Sequence, residues 1–339
     1  MGDTTAGLVC GHHHLYSTLA RGMPSPPVVP RHFLEILEQI WWRLDSALDL
    51  EMIRWSAMLG ALEALECGTT AIVDHHESPR AIEGSLDVIA GACAEVGVRA
   101  VLCYGVTDRH GPDGARRGLA ENERFLRAGG RGMVGVHAAF TCTDQTLEAA
   151  AELASALGVG VHVHVAEGEV DANAVGRLER WATPDWLVVH GVHRRGHMPG
   201  RLAHNPRSNM NNGVGYARPR AWPGPVVLGT DGIGSDMLEE FRLAYARARE
   251  EDVTFTPDQA WAWVRSGWDL VPEAAEDRVR WNYDRVDDPW CLAFTTGTKA
   301  CDVWVGGVQV MAAGRPTRVD PDEVRARAGE QARRLFARL

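Results

Sequence analysis

The chain has 339 residues, 45% of them hydrophobic, with 35 Lys and Arg against 45 Asp and Glu, a formal net charge of −10. That length accommodates one large α/β barrel or two ordinary domains, and the acidic balance argues against nucleic acid or an anionic membrane surface as partner. No apolar run approaches the roughly 18 residues needed to cross a bilayer, and MGDTTAGLVCGHHH does not read as a secretory signal. The seven cysteines are scattered without a CxxC pair. They read as reduced thiols of a cytoplasmic chain, with Cys10, Cys93 and Cys103 as small core residues.

Taken in order, residues 8–12 form an apolar run entering GHHHLYS, and His12 and His14 share one strand face by alternation. Residues 32–67 turn helical in two segments broken near 45–50, and Gly68 stops the second. Residues 71–74 form a strand ending at His75 and His76. A helix over 79–96 closed by Gly97 precedes a strand over 98–106. Residues 113–128 are helical, 133–140 form a strand holding His137, and 144–157 form a helix capped by Gly158. Then comes VGVHVHVAE, residues 159–167, with a clear period of two. If its valines face a helix layer, His162 sits deeper, His164 nearer the carboxyl end, and Glu167 just past it. An imidazole at a strand terminus with a carboxylate beyond suits a metal ligand beside a proton-transfer group.

A helix over 171–181 follows, then a strand over 186–190 ending in His190. The strand signal over 200–204 is the weakest, and it leads into an Asn-, Gly- and Pro-rich loop, HNPRSNMNNGVGY. Residues 226–230 form a strand ending in Asp231, with helices over 237–250 and 257–268. Residues 302–318 read as a hairpin with turns at Gly306-Gly307 and Ala313-Gly314. Residues 324–339 form a basic amphipathic helix whose arginines read as a solvated face. Eight short apolar strands alternating with helices predict an α/β fold, a (β/α)8 barrel of TIM type. Their ends carry His12 and His14, His75, Asp108, His137, His164, His190, Asn205 and Asp231. A doubly wound sheet would gather such ends at one crevice, not around a ring.

HxH on the first strand, single histidines on the fifth and sixth and an aspartate on the eighth form a set that resembles the amidohydrolase superfamily. The resemblance is to its cytosine-deaminase, guanine-deaminase and triazine-hydrolase group, and most to the SsnA-like aminohydrolases. It is carried by GLVCGHHHLYS, GTTAIVDHHESP, GVHAAFT, VHVHVAE, VVHGVH, AHNPRSNMNNGVGY and LGTDGIGSDM. It implies one divalent metal per chain, Zn²⁺ or Fe²⁺, on His12, His14, His164 and Asp231. Such a donor set suits either ion and leaves a position open for water, whose pKa the metal lowers toward neutrality. The resemblance further implies that Glu167 protonates a ring nitrogen, and that His190 and Asp231 position the hydroxide and take its proton. His137 is implied as a substrate contact. His75 is divided between pocket wall and plain loop, as is His76. His13, His162, His193 and His204 read as packing residues or as supports one step behind the ligands. The chain's one lysine, Lys299, lies far from any barrel strand, which excludes a pair of metals bridged by a carboxylated lysine.

The function implied is a metal-dependent aminohydrolase, a deaminase of an amino-substituted N-heterocycle or cyclic amidine. The alternatives are opening of a ring C–N bond, displacement of a halide at the same site, or a non-catalytic binding protein derived from such an enzyme. The partner is a small heterocyclic molecule, with neither nucleic acid nor membrane. HxH begins at residue 12, whereas the family pattern places half of a small β-sandwich before it. Residues 1–270 therefore read as the barrel, and 271–339 as a shortened hairpin remnant of the sandwich plus a C-terminal helix. The apolar faces of that hairpin lack their usual partner strands, which suggests a homo-oligomer.

Overall fold

A computed structural model describes residues 2–339. Eight parallel strands run β1 Leu8–His14, β2 Thr69–His76, β3 Arg99–Tyr104, β4 Val134–Ala138, β5 Val161–Val165, β6 Leu187–His190, β7 Arg201–His204 and β8 Val226–Leu228. Each pairs with the next, in two sheets bridged from β3 to β4 at Leu102–Gly132 and Val106–Val136. The ring closes where the Thr230 amide donates to the His12 carbonyl at 3.0 Å and Asp231–Gly232 pairs with His13 and His14. This is the expected (β/α)8 barrel. Its valines are buried on the side facing the helices, as Val161, Val163 and Val165 are, and His162 lies within the ring.

The helices start and stop where local chemistry directs them. Asp49, Thr143, Asp236 and Thr256 cap helix N-termini with side-chain oxygens. Gly97 and Gly158 end theirs at φ 100° and 66°. Two helices are shorter than the periodicity suggests. The one expected over 79–96 begins at Ser85, because Ser78 and Ala81 close a turn and Gly84 adopts φ 78°. The one expected over 171–181 shrinks to Ala174–Leu178. Asp171 serves the amides of Phe140 and Ala166 and so leaves the helix start uncapped.

The end of the chain differs from the hairpin remnant. Thr4–Thr5, Arg278–Trp281, Ala300–Val305, Val308–Ala312 and Arg315–Pro316 form one antiparallel sheet, so residues ahead of β1 supply its edge. Both expected turns are present, at Gly306-Gly307 and Ala313-Gly314. Val303, Val310 and Met311 are buried in the main core, where the strand Ala300–Val305 packs against helix Leu50–Glu66, which in turn packs against helix Pro321–Phe336. The apolar face expected to lack cover is therefore covered within the chain. The arginines of the last helix are not simply solvated either. Arg334 and Arg338 reach Asp49 Oδ2 at 3.1 and 2.7 Å, and Arg325 pairs with Glu66.

Asp49 thus caps one helix and ties another to it. Asp49→Ala is expected to lower the stability measured by urea unfolding by about 1–2 kcal/mol, the upper range for a lost cap. Asp49→Asn, which retains a capping oxygen, should lose distinctly less. Equal losses in the two variants would assign the stabilisation to the arginine pairs instead.

Candidate active site

The carboxyl ends of the strands open into a cavity. Its floor includes His14, His137, His164, Glu167 and Asp231, and its roof Phe33, Leu37, Trp41 and Trp42. The roof is a helix over 33–47 interrupted by a π turn at Leu37–Trp41. At the far wall Asp45 and Glu77 share the Arg109 guanidinium, which also lies 4.5 Å from the centre of the Trp42 ring.

The strand ends are locally strained. Ala166, His190, Asp231 and Ile233 all adopt positive φ, at 51°, 71°, 57° and 63°. Such non-glycine conformations cost about 1–3 kcal/mol each and persist only when surrounding contacts impose them. Here those contacts come largely from the short helix Pro206–Asn211 and the residue after it. Arg207 donates to the carbonyls of Thr230, Gly232 and Ile233, Ser208 Oγ to Asp231 Oδ2, and Asn212 Nδ2 to Glu167 Oε1 at 3.2 Å. His190 Nδ1 donates to Asn209 Oδ1 at 2.8 Å.

The ligand-type atoms converge on Asp231. Its Oδ1 lies 3.3 Å from His12 Nε2 and 3.0 Å from His14 Nε2, and His14 Nε2 lies 3.2 Å from His164 Nε2. Bonds of about 2.0–2.1 Å in a tetrahedral zinc site imply ligand–ligand edges of roughly 3.3 Å, so these side chains can hold such an ion with little movement. The buried Nε2 of His12 has no hydrogen-bond partner among the described residues, as a lone pair directed at a cation would require. Grouping by mutual distances alone selects two overlapping sets, His12, His164, His190 and Asp231, and His14, His75 and His164. His190 Nε2 stands 4.0 Å from Asp231 Oδ2 and 3.3 Å from Glu167 Oε2. His14 Nε2, 3.0 Å from Asp231 Oδ1, stands nearer that carboxylate than His190 Nε2 does.

Burial, reinforced by the nearby Asp231 carboxylate, pushes the Glu167 carboxyl well above its usual range. Burial and Arg109 hold His137 well below the usual imidazole range. Its Nε2 lies 3.7 Å from Glu77 Oε1 at the cavity wall.

The structure thus brings together His12, His14, His137, His164, Glu167, His190 and Asp231. His75 is fully buried behind the floor, with Nε2 on the Val136 carbonyl at 3.1 Å, and does not line the cavity. His76 turns to Ser78. Asp108 serves Thr143 and Thr146, away from the ring. His13 holds the Asp231 carbonyl at 2.7 Å, and His193 that of Val214 at 2.8 Å. His204 packs beside Tyr216 and Trp263. Lys299 reaches Cys67, 3.1 Å away, and takes no part. Sequence reasoning passed over Arg207, Ser208, Asn209 and Asn212, although a cluster of amides directly after a barrel strand was a usable signal. It also passed over the roof, whose Trp41 and Trp42 look like any other residues of an apolar helix face.

The model of the amidohydrolase family matches residues 4–264. A 5-methylthioadenosine/S-adenosylhomocysteine deaminase of Desulforudis audaxviator is 30% identical over 394 aligned residues, covering 98% of this chain and 86% of that protein. A 5'-deoxyadenosine deaminase of Methanopyrus kandleri is 31% identical over 70% of this chain, which spans 60% of that enzyme's length. Among solved structures, a zinc-bound adenosine deaminase from Xanthomonas campestris superposes with a TM-score of 0.83 at 20% identity, over 98% of this chain and 86% of that one. A zinc-bound atrazine chlorohydrolase from Arthrobacter aurescens gives 0.79 at 20% identity, over 97% and 88%. With the barrel, the HxH strand and the aspartate at the closing seam all in place, the chain belongs to the amidohydrolase family.

Proposed function

We propose that this protein is a metal-dependent deaminase that replaces the exocyclic amino group of an N-heterocycle by oxygen and releases ammonia. The observation that carries the reading is the approach of His12 and His14 to Asp231, with His164 as close to His14 and the buried Glu167 carboxyl beside His190. The similarity to deaminases of adenosine derivatives favours a 6-aminopurine as the ring. Phe33, Trp41, Trp42 and Phe140 offer the cavity faces on which a planar ring can stack.

Zinc held by His12, His14, His164 and Asp231 would supply a Lewis acid that brings water close to ionisation at neutral pH. The remaining work falls to the chain's own groups. Glu167, kept neutral by burial, gives its proton to the ring nitrogen beside the reacting carbon, which makes that carbon electrophilic. Its other oxygen is held by Asn212, so the acid is fixed in orientation. His190, anchored through Nδ1 by Asn209, orients the incoming water with Nε2 and passes its proton toward the departing amine together with Asp231. Of the two expected substrate contacts, His137 lines the cavity and takes that role in this reading, whereas His75 lies behind the floor on the Val136 carbonyl. The seven free cysteines suit a reducing, cytoplasmic setting. No helix among the described residues is long and apolar enough to cross a membrane.

Purified protein is expected to carry roughly one zinc or iron ion per chain, from the four-ligand count. A strong chelator should abolish ammonia release while leaving the far-ultraviolet circular dichroism largely unchanged. Two metals per chain in an active preparation would overturn the mononuclear reading.

Glu167→Gln preserves shape but removes the transferable proton. It should retain metal and substrate binding while turnover falls by roughly 10²–10⁴-fold. His164→Ala should lose metal and activity together. Normal turnover by Glu167→Gln would refute proton transfer by this residue, and loss of its metal would make it a ligand.

A further inference from the structure

Each proposed ligand imidazole turns Nε2 into the cluster, His12 and His14 toward Asp231 and His164 toward His14, and has Nδ1 held from behind. His14 Nδ1 donates to the His75 carbonyl at 2.6 Å, and His164 Nδ1 to the His137 carbonyl at 2.7 Å. A carbonyl can only accept, so both rings carry their proton on Nδ1 and present Nε2 as a lone pair. His12 differs. Its Nδ1 faces another imidazole, His162 Nε2, at 2.9 Å. A neutral imidazole can accept or donate at that atom according to its tautomer. The contact alone therefore leaves open which His12 nitrogen bears the proton.

The ligand reading sets the direction. A lone pair on His12 Nε2 requires its proton on Nδ1, which then donates to His162 Nε2 and leaves the His162 proton on Nδ1. That proton faces Cys103 Sγ at 3.4 Å, and the thiol has the Asp74 carbonyl at 3.6 Å to receive its own. All three side chains are fully buried, so water cannot substitute for any link.

We propose that His162 and Cys103 are positioning residues of the metal centre. A one-way hydrogen-bond chain, His12 to His162 to Cys103 to the Asp74 carbonyl, holds His12 in the tautomer whose Nε2 lone pair faces Asp231. The inference rests on reading His12 as a ligand. Reversal of the chain would put a proton on His12 Nε2, where it would point at Asp231 and compete with the ion. Packing alone would need only apolar groups of similar volume at both positions.

The test is zinc affinity of the full chain, by competition with a chelator of known strength, together with the visible spectrum of the cobalt(II)-substituted protein. His162→Leu removes the acceptor and is expected to weaken zinc binding roughly 10–100-fold, the usual effect of losing a partner behind a ligand, and to alter the cobalt bands. His162→Gln can place an amide oxygen near the position of Nε2 and should bind within a few-fold of wild type. Cys103→Ala frees His162 to reverse and should fall between wild type and His162→Leu, while Cys103→Ser, which can still donate and accept, should recover affinity. If His162→Leu does not fold, the cysteine pair decides, because the smaller side chain leaves the packing nearly intact. Wild-type affinity in His162→Leu or in Cys103→Ala, or equal weakening by Leu and Gln at 162 in folded proteins, would overturn the proposal. A wild-type chain that fails to bind zinc would instead remove the ligand reading beneath it.

Discussion

The seam between β8 and β1 is the contact on which the site depends. Two of the proposed ligand histidines are residues 12 and 14 and the proposed carboxylate is residue 231, so the set is assembled only once the first and last strands of the ring meet. That meeting requires close backbone approach. A Cβ on Gly11 would stand 2.6 Å from Val227 Cγ2 and 2.8 Å from the Leu228 carbonyl, and one on Gly229 would stand 2.7 Å from the His12 amide nitrogen. Side chains at these two positions would prise the seam apart. With glycine there, the Thr230 amide reaches the His12 carbonyl and Asp231 pairs beside His13.

Closing the ring also collects strain and buried polar atoms at one end. Four residues at or just past strand ends adopt positive φ, and nine histidines lie fully or nearly buried. Uncompensated, either feature would be costly. The compensation is local and polar. The segment after β7 supplies separate partners for Glu167, His190 and Asp231, and a guanidinium for the carbonyls of the turn after β8. Because these partners sit on one short segment, its placement aligns Glu167, His190 and Asp231 together.

The covering layer follows different physics. The helix over 33–47 presents Phe33, Leu37, Trp41 and Trp42 to the cavity across a π turn. A π turn shifts the register of side chains relative to a regular helix, which brings consecutive tryptophans to one opening. The acidic pair Asp45 and Glu77 is held by a single arginine, so the cavity has an apolar roof and a charged far wall above the metal-binding floor.

Much of the barrel and the histidines gathered at its strand ends were legible in the residue order, because both are written in local patterns. Strand alternation puts His162 and His164 on the face opposite the valines, and HxH does the same for His12 and His14. Glycine stops at 97 and 158 marked helix ends for the same short-range reason. Helix starts were less legible wherever a would-be cap was taken by a distant amide, as Asp171 is by Phe140 and Ala166. The edge strand Thr4–Thr5 and the arginine pairs to Asp49 join residues more than 250 positions apart. No periodicity encodes such pairings. The same holds at the site, where the sequence by itself determined which side chains can bind a metal. Only the tertiary structure decided which partner holds each of them from behind, since a hydrogen bond between rings 150 positions apart depends on ring closure and not on spacing along the chain.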